Sequence, residues 1–184
     1  MPFDPARYHP TIAVILNANE GGERLMPLAG GSCCDPEAAK LLRAAGAAEL
    51  FPDSVAPEAA LSGMWLYLSC LEESHQVSQE IDTVEGSFWH GILHRQEPDA
   101  GNAAYWFRRV GRHAVFGDLL REASAIAARY PQANWTPGKN WDPFEFIDFC
   151  ERARRRPGTQ AERAALEMQR AEWQLLFAWC ARGR

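Results

Sequence analysis

A chain of 184 residues that is 47% apolar and 23% charged can fold around a core of its own, which excludes a disordered tail, a fibre or a disulfide-stapled miniprotein. Its 24 acidic residues outnumber 19 basic ones, for a net charge of −5, so the surface is not that of a nucleic-acid binder. No stretch approaches the ~20 apolar residues of a membrane span, and Met1-Pro2-Phe3-Asp4-Pro5 lacks the basic start and apolar run of a secretory signal.

In chain order, residues 1–34 are rich in Pro and Gly and read as an irregular arm, with Thr11 to Leu16 as its one strand-like run. Gly21-Gly22 and Gly30-Gly31 are followed by no Gly-Lys-Ser/Thr, so no phosphate-cradling loop is present. Asp35-Pro36-Glu37 supplies a capping side chain, a proline that loses nothing in the first turn and a carboxylate at the positive helix end, so a helix should run to about Leu50. Pro57-Glu58 opens a second, with Leu61, Met64, Trp65, Leu68 and Leu71 spaced by threes and fours, ending near Ser74. Thr83 caps a third that stops before Pro98, and Asp99 caps a fourth that stops at Gly111. A fifth covers about Phe116 to Tyr130. Asp142-Pro143-Phe144-Glu145 and Thr159-x-x-Glu162 open the last two, the final one running from Gln160 to about Ala181. The reading is an all-α fold: one domain over 1–184, an irregular or orthogonal bundle of about seven helices with no persistent heptad and no credible sheet.

Polar chemistry concentrates between Glu85 and His113. At 100° per residue, Ser87, His90, His94 and Glu97 share one face of the third helix, opposite Phe88, Trp89, Ile92 and Leu93. Two imidazoles one turn apart suit a metal ion, with Glu97 as a third ligand, and the helix ending in Glu72, Glu73 and His75 is another ligand source. Gly91 stands where H-E-x-x-H metalloproteases need their water-activating glutamate, so that chemistry is absent. The alternative is a solvated polar face. Arg95, Asn102, Tyr105 and Arg109 join His90 and His94 as candidates for gripping a small polar or anionic ligand, since guanidinium forks match carboxylate and phosphate. Acid–base work, if there is any, falls to Glu97 or His113. Arg109 follows Tyr105 by four residues and borders the apolar stripe, so it should be clamped by Glu97, Asp99 or Glu85.

The run Phe88-Trp89-His90-x-x-x-His94-Arg95-x-Glu97-x-Asp99-x-x-Asn102-Ala103-x-Tyr105-Trp106-Phe107-Arg108-Arg109-x-Gly111-x-His113 resembles the signature block of a family of uncharacterised bacterial and fungal proteins. The resemblance covers residues 88–113 and implies membership, but carries over no activity, cofactor or catalytic role.

Five cysteines with no C-x-x-C pair suggest neither a disulfide framework nor a zinc ribbon, and fit a reducing cytoplasm. Cys33-Cys34 precede a helix N-terminus, where a dipole lowers a thiol pKa, although two small loop residues explain them as well. Arg152 to Arg156 close a helix and read as its solvated end. Two functions follow: a ligand-binding protein or enzyme with its cleft between residues 84 and 111, or an interaction module using Trp141, Phe144 and Phe146 or the last helix, with room for a homodimer.

Overall fold

The computed structural model describes residues 2–183, and among them there is no strand, only an isolated bridge between Ser54 and Gly183. Ten α-helices follow one another: α1 (Pro10–Ala18), α2 (Pro36–Ala44), α3 (Ala47–Leu50), α4 (Pro57–Tyr67), α5 (Leu71–Ser78), α6 (Val84–Gln96), α7 (Ala100–Val110), α8 (Phe116–Arg129), α9 (Pro143–Ala153) and α10 (Gln160–Cys180). The fold is therefore all-α, but with ten helices rather than seven. None of them is long and apolar enough to cross a membrane.

At the five helix starts assigned to Asp35, Thr83, Asp99, Asp142 and Thr159, sequence and structure agree. Asp35 accepts from the amides of Glu37 and Ala38 at 3.1 and 3.0 Å, Thr83 from Gly86 at 3.3 Å, Asp99 from Asn102 at 3.0 Å and Asp142 from Phe144 at 2.8 Å. Thr159 accepts from Glu162 at 3.3 Å while Glu162 accepts from Gly158 at 2.6 Å, so the last helix opens on a reciprocal pair of side-chain bonds.

The extra helices have three physical origins. The strand-like run 11–16 is α1: Pro10 starts it, His9 Nδ1 accepts from the Thr11 amide, and Ile12, Ile15 and Leu16 bury one face at helical spacing. Ala45 is extended and Gly46 opens α3, which ends the first expected helix early. The second is broken at residues 68–70, where Ser69 adopts φ 58°. Residues distant in sequence hold that break: the Cys34 amide donates to the Leu68 carbonyl at 2.8 Å, Arg24 binds the Tyr67 carbonyl and the Ser69 hydroxyl, and a disulfide joins Cys33 to Cys70.

Apolar side chains form two groups. One gathers α1, α4, α6, α7 and the C-terminal half of α10 around Met64, Trp89, Phe107 and Trp173; the other packs α8, α9 and the N-terminal half of α10 around Leu119, Phe146, Phe149 and Met168. Phe116 and Leu175 pack against both. Every residue of α6 from Gly86 to Gln96 is buried. Gly91 permits this, because a Cβ there would stand 2.9 Å from the Phe107 ring of α7.

Candidate metal centre

With α6 buried from Gly86 to Gln96, its histidines cannot lie on a solvated face. His90 is 2% exposed and His94 8%. Against them α5 brings a third imidazole, His75, with ring centroids 4.6 Å from His90 and 5.6 Å from His94, while His90 and His94 are 4.8 Å apart. One ring nitrogen from each of the three lies within 4.8 Å of the other two. Ligand atoms on a tetrahedral ion at ~2.0–2.1 Å are ~3.4 Å apart, so closure needs only an inward ring rotation of about 1 Å.

The hydrogen bonds around these rings decide which nitrogen is free. The Ser78 hydroxyl lies 3.3 Å from the His75 carbonyl and 3.1 Å from His90 Nδ1; with its proton on the carbonyl it accepts from an Nδ1–H of His90, the tautomer that keeps the Nε2 lone pair for a metal. Glu97 Oε2 lies 2.9 Å from His94 Nδ1, off the line of its N–H, and its charge favours the proton on that nitrogen. Carboxylate or hydroxyl oxygens behind Nδ1 are what metal-ligating histidines use to fix tautomer and ring orientation. Trp106 of α7 covers the outer face of His90, stacked at 4.0 Å and 24°.

Burial, reinforced by the charges of His94 and His75, pulls the His90 pKa down to about 4. Burial also lowers that of His94, against the opposing pull of Glu97. Both imidazoles are therefore neutral at neutral pH and can donate a lone pair. Three imidazole nitrogens suit Zn²⁺ and its transition-metal neighbours rather than Mg²⁺ or Ca²⁺, which prefer oxygen, and leave one tetrahedral position open.

The other expected ligand-binding residues do not join this cluster. Arg95 turns to the opposite side of α6, where it is fully buried against Glu172 of α10, with Nη1 to Oε1 at 3.3 Å and its guanidinium 4.5 Å above the Phe146 ring. Asn102 donates to Asp99 at 3.0 Å and completes the cap of α7. Tyr105 is 47% exposed, edge-on to Trp106. Arg109 lies over the outer side of Trp106 at 5.1 Å and meets exposed Asp82 at 3.9 Å, not Glu97, Asp99 or Glu85. His113 stands elsewhere: its Nδ1 accepts from the Val115 amide at 3.2 Å and its Nε2 faces Glu85 at 3.8 Å, the same carboxylate oxygen that accepts from Trp179 at 3.1 Å. Among the expected site residues, only His113 lines the cavity of about 710 Å³ between the α7–α8 link and the start of α9.

Two residues of the cluster escaped the sequence reading. Ser78 follows His75 by one turn, a spacing that would have marked it, whereas Trp106 looked like ordinary core. One expectation about cysteine is overturned, and one of the two readings of Cys33-Cys34 falls. Cys33 and Cys70 are joined, which removes the ground for inferring a reducing compartment. Burial raises rather than lowers the Cys34 pKa, outweighing nearby Arg24, so this thiol is not an activated nucleophile. Compared with protein families, curated proteins and solved structures, the chain has no match.

Proposed function

We propose that the protein binds a divalent transition-metal ion through His75, His90 and His94, with the open coordination position taking a small polar or anionic ligand. The carrying observation is the convergence of three imidazoles, two of which have an oxygen, of Ser78 or of Glu97, beside Nδ1. In this reading Glu97 orients His94 and raises its basicity, Ser78 does the same for His90, and Trp106 excludes water from one side of the centre. Arg95, Asn102 and His113 are structural.

The competing reading, a docking face, has weaker support: Phe144 is 39% exposed, but Trp141 and Phe146 are buried in the second apolar group.

The test is zinc titration of tag-free protein by calorimetry, with His90→Ala/His94→Ala as comparison. One equivalent should bind the parent chain and none the variant. Equal uptake by both would exclude the centre.

A further inference from the structure

We infer that the Cys33–Cys70 disulfide is a latch on the metal centre, so that its cleavage by a dithiol reductant weakens metal binding; this rests on the metal-binding reading above. Two of the three ligands share α6, which is buried from Gly86 to Gln96 and tied to α10 by Arg95 and Glu172. The third, His75, depends on α5, a helix of eight residues with no side-chain bond capping its N-terminus. The residue at the cap position is Cys70 itself. The start of α5 is therefore held by a covalent link to Cys33, 37 positions earlier, just ahead of α2, and by one backbone bond, from the Cys70 amide to the Trp65 carbonyl of α4 at 3.0 Å.

Apart from that Cys70 amide bond, the other ties at this junction act on either side of the link. Arg24 and the Cys34 amide hold residues 67–69, before Cys70. Beyond it, Ser62 and Ser74 exchange hydroxyl-to-carbonyl bonds at 3.2 and 3.0 Å that keep α5 on α4. Without the disulfide, α5 stays attached but its first turn is free to shift, and His75 lies in the second turn. The effect is therefore a graded loss of affinity rather than its abolition, and about tenfold is within the usual range of coupling between sites.

The chemistry is a two-electron exchange. A reductant thiolate attacks the sulfur of Cys33, whose residue is partly exposed while Cys70 is 2% exposed. The S–S bond breaks and Cys70 leaves as a thiolate that takes up a proton. The reductant's second thiol then closes on the mixed disulfide, releasing Cys33 as a thiol and the reductant as its own disulfide. Linkage is reciprocal: if the disulfide strengthens metal binding tenfold, bound metal stabilises the disulfide tenfold, which for this couple is about 30 mV.

The experiment compares zinc affinity of the oxidised parent chain with that of Cys33→Ser/Cys70→Ser, in which the link is gone and no thiol replaces it as a rival ligand. We expect about tenfold weaker binding by the variant, and a smaller penalty for His75→Ala in the variant than in the parent. Equal affinities in a variant with native circular dichroism overturn the latch and leave the metal centre standing. Should the variant fail to fold, the midpoint potential of the parent's disulfide decides: saturating zinc should make it about 30 mV more negative, and an unchanged or less negative value overturns the latch. Failure of the oxidised parent to bind zinc removes the metal centre itself, and the latch with it.

Discussion

Arg95 and Glu172 meet where the two apolar groups adjoin: Arg95 leaves α6 of the first group and lies over Phe146 of the second, while Glu172 sits between Ala171 of the second and Trp173 of the first. Burial pushes the Glu172 carboxyl up and the Arg95 charge pulls it back. Such a pair stabilises little relative to apolar residues of the same size, but either member left alone is an uncompensated buried charge. We expect Arg95→Met or Glu172→Leu alone to cost roughly 3–5 kcal/mol in urea unfolding, and the double variant to regain most of it. Equal, additive losses would show that the two do not act as a pair. The need for a clamped guanidinium in this region was legible in the sequence, but it was assigned to Arg109. Periodicity ranked Arg109 as core-bordering and gave no sign that α6 is buried all round, and the true partner of Arg95 lies 77 positions away. His90 and His94 were legible as a pair because one helical turn relates them; the position of His75 against them depends on how α5 packs, which no local pattern encodes.

At the scale of elements, what could be read was what neighbours in sequence decide. Helices opened by Asp35, Thr83, Asp99, Asp142 and Thr159 begin where a side chain satisfies their first amides. The break between α4 and α5 was not readable, because Arg24, Cys33 and Cys34 impose it from a distant segment. The α8–α10 junction shows the same non-local logic. There Glu167 of α10 accepts from the Tyr130 hydroxyl and Arg129 at 2.6 Å each, and from Arg163 at 2.9 Å. Burial raises its pKa, but the bonds from Tyr130, Arg129 and Arg163 outweigh it and the net shift is downward. The unfolded chain then holds the Glu167 proton more tightly than the folded one, so this stabilisation is complete above the unfolded value of about 4.3 and is lost as pH falls through the lower folded value. Glu167→Gln should therefore flatten the fall in stability below about pH 4 relative to the parent. Parallel acid-denaturation curves for the two proteins would show that Glu167 makes no such contribution.

For the molecule as a whole, α10 is the element that makes the two apolar groups one structure: its N-terminal half belongs to one, its C-terminal half to the other, and Trp173 donates to the Gly63 carbonyl of α4 at 2.7 Å. The three-histidine cluster lies on α5 and α6, which pack against each other and against α4 and α7, so an ion bound there would tie elements of the first group together without touching the second. Any ligand that binds the folded chain and not the unfolded one adds stability by mass action, about 2.7 kcal/mol when its free concentration is 100 times Kd. For a chain of this size that corresponds to a rise in Tm of about 5–10 °C. Zinc at that excess should raise the melting temperature of the parent chain by this amount, and a chelator should reverse it. The rise should vanish in His90→Ala/His94→Ala, whatever that variant's own starting Tm. It should persist in His113→Ala, because His113 faces Glu85 and Trp179 rather than the three-histidine cluster. Melting followed by circular dichroism at 222 nm separates the cases: a zinc-dependent rise that survives loss of His90 and His94 but not of His113 would move the metal to the Glu85 side and discard the centre between α5 and α6.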